Sequence, residues 1–116
     1  MKAVHLMNSA MMPQPGRYTA MRIDKDAFCR QVQEANRKNK LKSYIGYPKN
    51  VELIQKWTGI GIPVSRAETH LEDGDSMLVM KLKYRPQNVG MKSSKEGQEE
   101  LTENDFEFFL VTYNEL

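Results

Sequence analysis

SYIGYPKNVELIQKWTG, residues 43–59, joins a short apolar strand directly to a helix. A residue before proline is pushed out of the α region, so Tyr47 is predicted to end the extended segment and Pro48 to be the first helical residue. Gly59 is a natural C-terminal stop for this helix. Its apolar face is predicted from the residues at helical spacing, which are Val51, Leu53, Ile54 and Trp57.

The start of this helix is a candidate anion site. Its free backbone N–H groups carry the positive pole of the helix dipole and point back over the end of the strand. A phosphate would be bound there with the Tyr47 side chain at the lip. An ordinary strand-to-helix turn is the alternative interpretation.

Composition restricts the function classes that need to be considered. A chain of 116 residues makes one domain with one core. Its 17 basic and 15 acidic residues nearly balance, so no global field favours duplex nucleic acid. The single Cys29 excludes a disulfide within the chain and fits a reducing compartment. The apolar N-terminal residues are too interrupted for a signal sequence or a membrane span, so we expect a cytoplasmic protein with no membrane partner.

The remaining segments predict an α/β fold, a single small domain over residues 1–116 with a mixed, mainly five- or six-stranded sheet flanked by two or three helices. Strands are predicted at Lys2–Met7, Tyr18–Ile23, Val64–Leu71, Ser76–Tyr84 and Phe106–Tyr113, and a helix capped by Asp24 at Lys25–Asn39. Glu72 to Asp75 has the composition of a hairpin turn between two of these strands. The last strand is apolar on both faces, which is typical of a central strand or of one covered by a partner chain.

Several polar residues fall where strands end. If the first strand is central, Asn8 and Ser9 lie at a carboxyl edge, where open α/β sheets bind ligands, although both are also common turn formers. Lys81, Lys83 and Arg85 alternate along one face of a later strand, for which a solvated face is the default interpretation. Arg85 stands at the predicted strand end, and Arg66 is expected to project from the neighbouring strand. These residues predict an anion cleft at Tyr47, Arg66 and Arg85.

The stretch from about 86 to 100 has little to bury and is predicted to be a flexible loop, either a lid or a disordered excursion. The sequence contains no metal-ligand cluster, no glycine-rich phosphate loop and no Ser/His/Asp set, so we expect neither a metal nor a cofactor. His5 lies in the middle of a strand, where a lone histidine is more often packed or hydrogen-bonded than catalytic.

The order of these segments resembles a known family. LMNSA after the first strand, IGYPKNVELIQKWTG, SRAETHLEDGDSMLVMKLKYR, a polar loop and an aromatic last strand are similar to the small viral ring nucleases that act as type III anti-CRISPR proteins. The resemblance covers nearly the whole chain. It implies a dimeric α/β protein whose two-fold cleft binds cyclic tetra-adenylate and cuts it.

The resemblance also implies roles for individual residues. The first loop would bind the ligand, Arg66 would contact it, Arg85 would hold the scissile phosphate, and the following loop would be the lid. The candidate ligand contacts are Asn8, Ser9, Ala10, Tyr47, Pro48, Arg66, Lys83, Arg85 and Asn88.

The chain departs from the family at the residue that carries the chemistry. The family usually has Ile-Gly-His where this chain has Ile-Gly-Tyr, and the histidine is the general acid for the leaving 5′ oxygen while a ribose 2′-OH attacks. A free tyrosine has a pKa of about 10 against about 6.5 for histidine, so Tyr47 is a much poorer proton donor near neutrality. An acidic residue expected shortly after Arg85 is also absent, because Pro86, Gln87 and Asn88 follow it.

Three functions remain open at this point. The first is a homodimeric anti-defence protein that binds a cyclic nucleotide messenger and sequesters it. The second is a metal-independent ring nuclease that cuts slowly through Arg85, with or without Tyr47. The third is a host–virus interaction module that binds no nucleotide.

Overall fold

The computed structural model describes residues 3–9, 12–83 and 101–116 of the chain. In chain order the elements are strands β1 (Val4–Met7) and β2 (Arg17–Ile23), helix α1 (Lys25–Arg37), strand β3 (Leu41–Tyr44), helix α2 (Pro48–Thr58), and strands β4 (Ser76–Leu82) and β5 (Phe106–Asn114). A short 3-10 turn at Glu103–Asp105 precedes β5. The predicted class is confirmed: this is one small α/β domain with a five-stranded mixed sheet and two α-helices.

The strands lie in the order β2-β5-β4-β1-β3. β1 pairs in parallel with β3 and with β4, whereas β5 is antiparallel to both β4 and β2. The first strand is therefore internal, which is the condition under which Asn8 and Ser9 were predicted to lie at a carboxyl edge of the sheet. The parallel strands β1, β3 and β4 all point their carboxyl ends to one edge of the sheet.

Both helices pack on one face of the sheet, where they build the main core. The start of α2 at Pro48 and its stop at Gly59 are as predicted, and Gly59 adopts the left-handed conformation with φ 79°. Asp24 caps α1 as predicted, because its carboxylate accepts from the backbone N–H of Ala27 at 2.7 Å. The core side chains on this face include Leu6, Phe28, Val32, Ile45, Ile54, Leu78, Met80 and Phe108.

The opposite face is covered by irregular chain, and here one prediction is wrong. The segment 64–71 is not a strand, and no hairpin joins it to β4. β4 already has β1 on one side and β5 on the other, so it has no free edge to offer this segment. The segment is held by side chains instead: the Gln14 amide donates to the Leu71 carbonyl at 2.7 Å and accepts from the Leu71 N–H at 2.8 Å. It covers a second core cluster formed by Met7, Leu71, Met77, Val79, Val111 and Tyr113.

Asp75 is buried, which the predicted hairpin turn did not anticipate. The Nε2–H of the equally buried His5 donates to the Asp75 carboxylate at 3.0 Å. The same carboxylate accepts from the backbone N–H groups of Ala3 at 3.1 Å and Glu72 at 2.9 Å. His5 is thus packed and hydrogen-bonded, as expected for a histidine within a strand.

β5 is apolar on both faces because it is a central strand, which is one of the two predicted explanations. Its neighbours are β4 and β2, and it contributes side chains to both core clusters.

The predicted lid, residues 86–100, lies outside the described residues. Within the described ranges, neither helix is long and apolar enough to cross a membrane.

Candidate functional site

A cavity of about 550 Å³ opens at the sheet edge where β1 and β3 end. Its walls come from the residues that follow β1, from the turn that joins β3 to α2, and from the irregular segment that crosses the second face. It is lined by Met7, Asn8, Ser9, Pro13, Tyr44, Gly46, Tyr47, Ser65, Arg66, Ala67, Glu68 and Thr69.

Parallel pairing brings two separate parts of the sequence to this cavity. Met7 and Tyr44 are register partners at the ends of β1 and β3, so the chain leaves both strands at the same level. Asn8 and Ser9 continue from β1, while Gly46 and Tyr47 continue from β3. This is the carboxyl edge at which open α/β sheets bind ligands.

Tyr47 caps α2 through its backbone only. Its carbonyl accepts from the N–H groups of Asn50 at 3.1 Å and Val51 at 3.3 Å, and its side chain makes no capping hydrogen bond. The ring is 49% exposed at the mouth of the cavity. The hydrogen-bonded strand ends three residues earlier, at Tyr44, although Tyr47 keeps the predicted extended backbone with φ −110° and ψ 116°.

Arg66 reaches the cavity from the irregular segment and not from a strand, which corrects the predicted geometry. The N–H of Ser65 donates to the Ile45 carbonyl at 2.9 Å, and the Ser43 hydroxyl donates to the Pro63 carbonyl at 2.6 Å. These two bonds fix the segment beside the end of β3. The Arg66 side chain is exposed, and it forms no ion pair with any acidic residue in the described part of the chain.

The structure brings together four of the predicted contacts: Asn8, Ser9, Tyr47 and Arg66. Pro48 begins α2 directly beside them without lining the cavity itself. Ala10, Arg85 and Asn88 lie outside the described residues, so their predicted roles stay predictions.

Lys83 is not brought to this cavity. Met7 at the end of β1 is level with Val79, so Lys83, one residue past the end of β4, lies four residues farther along the chain, roughly 13 Å at 3.3 Å per residue. Its N–H donates to the Asp105 carbonyl at 3.0 Å, which continues the antiparallel pairing of β4 with β5 by one residue. It lines a different cavity of about 360 Å³ together with Arg22, Asp24, Glu103 and Glu107, among others.

The sequence did not identify three side chains or positions that shape the cavity: Tyr44, Gly46 and Glu68. The Tyr44 ring stacks on the buried His5 ring, with centroids 5.4 Å apart and planes 25° apart. Glu68 places a carboxylate in the same cavity as Arg66. For Tyr44 and Gly46 the available signal was that both come just before the predicted strand end at Tyr47. Glu68 reaches the cavity through long-range packing, for which the local sequence gives no signal.

The residues that line the cavity include one arginine, one glutamate, short polar side chains and two tyrosine rings. A guanidinium forms charge-assisted hydrogen bonds with phosphate, and tyrosine faces stack on nucleobases. Among the residues that the structure describes, no group of three His, Cys, Asp or Glu side chains could hold a metal ion. The arrangement therefore suits an anionic ligand with planar rings.

Comparison with known proteins agrees with the fold. A solved structure, B116 of Sulfolobus turreted icosahedral virus, has the same fold with a TM-score of 0.71, at 17% identity over 94% of this chain and 97% of that one. Uncharacterized protein 26 of Sulfolobus islandicus filamentous virus (isolate Iceland/Hveragerdi) is 25% identical over 111 residues, which cover 95% of this chain and 93% of that protein. The sequence model of the STIV B116-like family matches residues 4–108. The chain therefore belongs to the STIV B116-like family and is a viral protein of that family.

Proposed function

We propose that this protein counters a host defence by binding a cyclic oligonucleotide messenger and sequestering it in the cytoplasm of the infected cell. The observation that carries the proposal is the convergence of Asn8, Ser9, Tyr47 and Arg66 on one cavity. They come from three distant parts of the sequence, and the resemblance to viral ring nucleases implies a ligand role for each region.

Each group in the cavity has a role in this proposal. Arg66 binds a phosphate of the ligand through charge-assisted hydrogen bonds. Asn8 and Ser9 supply short polar groups that fix the orientation of the ligand, and Tyr47 stacks on a base. The resemblance implies that Arg85 holds the scissile phosphate, and Ala10 and Asn88 are further candidate contacts with the ligand.

The size of the cavity supports a homodimer. Cavities of about 300–1,000 Å³ hold a ligand of drug size, so 550 Å³ holds one or two nucleotides and not a whole cyclic oligonucleotide. A two-fold assembly would place a second copy of Arg66 and Tyr47 opposite the first and enclose the ring. The apolar faces of β5 are explained by its central position, so they no longer bear on dimerisation.

Cleavage is the second candidate, and Glu68 favours it. A carboxylate in the same cavity as Arg66 is a candidate base for the 2′-OH of a ribose, whose attack on the adjacent phosphate would open the ring. Tyr47 occupies the position at which the viral ring nucleases that the chain resembles have a histidine, and a tyrosine is a weak acid for the leaving oxygen. Loss of general acid–base catalysis typically slows a reaction by about 10²- to 10⁴-fold, which is why sequestration is proposed first.

The test incubates the protein with a panel of cyclic mono-, di-, tri- and tetranucleotides, removes free ligand, denatures the protein and separates what was retained. Intact ligand supports sequestration, linear fragments support a nuclease, and no retention leaves a protein-interaction module. Arg66→Ala should weaken retention strongly, because it removes one charge-assisted contact with the ligand. Arg17→Ala is the matched control, because Arg17 is an exposed arginine on β2, the edge strand farthest from β3.

A further inference from the structure

The Arg66 side chain lies directly against Gly46, in the turn between β3 and α2. A Cβ atom added to Gly46 would meet the Arg66 Cγ at 3.1 Å, Nε at 3.7 Å and Cζ at 3.8 Å. The side chain therefore runs across the glycine from its stem to its guanidinium. We propose that Gly46 is a positioning residue for Arg66, an inference that rests on the proposed function of the cavity.

Space for Arg66, and not backbone conformation, is what the glycine provides. Gly16, Gly59 and Gly74 have positive φ, which favours glycine at those positions, but Gly46 does not. Alanine can therefore adopt the backbone of residue 46. Its methyl group would lie closer to Arg66 Cγ than nine in ten Cβ atoms lie to a neighbour, so Arg66 must give way by a few tenths of an ångström.

The arginine side chain is the part that moves. The main chain on both sides of the contact is fixed, because the Ser65 N–H donates to the Ile45 carbonyl at 2.9 Å. The Ser43 hydroxyl holds the Pro63 carbonyl at 2.6 Å, and the Ser65 hydroxyl accepts from Ala67 N–H at 3.3 Å. Alanine at 46 thus shifts the stem of Arg66 by a few tenths of an ångström and moves the guanidinium off the surface along which it lies in the wild type.

Glycine at this position also lowers the cost of ordering Arg66 when a ligand binds. A long side chain that already lies along a fixed surface has fewer rotamers to lose than one that moves freely in solvent. Converted to affinity, immobilising one such side chain changes binding by about two- to twelvefold. Gly46→Ala should therefore weaken the binding of an anionic nucleotide by about three- to tenfold, with little change in melting temperature.

Gly61→Ala is the matched control, because a Cβ at Gly61 meets nothing within 4 Å and its φ is not positive. The first measurement needs no ligand: the ¹⁵N relaxation of the Arg66 Nε–H group in the wild type, Gly46→Ala and Gly61→Ala. We expect an ordered Nε–H group in the wild type and in Gly61→Ala, and a mobile one in Gly46→Ala. Equal order in all three proteins would overturn the inference.

The second measurement is calorimetric titration with cyclic tetra-adenylate of Gly46→Ala, Arg66→Ala and the double variant. If Gly46 acts through Arg66, the double variant should bind no worse than Arg66→Ala alone, because the glycine has nothing left to position. Additive losses would overturn the inference. A wild type that binds none of the nucleotides in the panel would overturn the proposed function, while the relaxation data would still decide the role of Gly46. If Gly46→Ala folds poorly, recovery of stability in the double variant would confirm that its methyl group collides with Arg66.

Discussion

Replacing Asp75 by alanine is expected to lower the free energy of unfolding by about 3–5 kcal/mol, because it leaves buried hydrogen-bond donors without their acceptor. The carboxylate accepts from Ala3 N–H at 3.1 Å, His5 Nε2–H at 3.0 Å and Glu72 N–H at 2.9 Å. Each hydrogen bond to a charged group contributes about 1.5–3 kcal/mol, but three bonds to one carboxylate are not additive. Domains of this kind are stable by about 5–15 kcal/mol, so a loss of this size is a large fraction of the free energy of unfolding.

Urea unfolding, followed by Trp57 fluorescence and circular dichroism, measures this change. Asp73→Ala is the control in the same turn, since Asp73 is exposed and accepts one hydrogen bond, from Glu115 N–H at 2.8 Å. Its loss should be about 1 kcal/mol or less. Asp75→Asn should fall between the two, because the amide keeps the shape of the side chain and lacks its charge. A loss below about 1 kcal/mol for Asp75→Ala would refute the role given to this carboxylate.

The contribution of Asp75 should also depend on pH. Burial by itself raises the pKa of this carboxyl, but the hydrogen bonds from Glu72, His5 and Ala3 outweigh it and hold the pKa below its usual 3.8. A lowered pKa in the folded state stabilises the protein above the unfolded pKa, and this stabilisation is lost as the pH falls through the folded pKa. The difference in stability between the wild type and Asp75→Asn should therefore be full near neutrality and shrink below pH about 4. A difference that stayed constant into strong acid would contradict this.

Three further predictions concern the proposed function. Light scattering at micromolar concentration should give twice the mass of the 13.4 kDa chain, and a purely monomeric solution would contradict the shared cleft. Arg85→Ala should abolish nucleotide binding with little loss of stability, because a charge-assisted bond to phosphate contributes about 1.5–3 kcal/mol; unchanged affinity in calorimetry would identify a merely solvated arginine. Tyr47→His should create or increase cleavage of bound cyclic tetra-adenylate by up to about 10²-fold, since it supplies a general acid at the same position. Single-turnover assays would check this, and a wild type that already cuts within minutes would overturn sequestration.

Elements with strong local signals could be predicted from the sequence. Pro48 begins α2 and Gly59 ends it, and each does so through the conformation of its own backbone. Asp24 caps α1 through a hydrogen bond from a residue three positions away. The apolar pattern of β5 left two explanations, a central strand or a strand covered by a partner chain, and the sheet order shows the first. The prediction that Asn8 and Ser9 lie at a carboxyl edge depended on a central first strand, and the sheet order meets that condition.

Features set by long-range contacts could not be predicted. The segment 64–71 has the composition of a strand, but whether it pairs depends on the edges of β4, which are filled by strands distant in sequence. The local sequence predicts Asp75 to be a turn residue, because its hydrogen bond with His5, 70 positions earlier, depends on the tertiary fold. Gly46 and Arg66 lie on two segments that a backbone hydrogen bond, from Ser65 N–H to the Ile45 carbonyl, holds together. The sequence around either residue gives no signal that the other lies against it.

The position of β5 at the end of the chain has a consequence for how the protein folds. β2 has β5 as its only partner in the described sheet, and Tyr18 pairs with Tyr113 across nearly the whole chain. During synthesis β2 therefore leaves the ribosome long before the strand that it needs. β1 can pair with β3 earlier, but its other edge stays open until β4 is made. Such a topology has a high contact order, so the sheet forms late and in one cooperative step. Until β5 is complete, the nascent chain exposes unpaired strands that chaperones or other chains can bind.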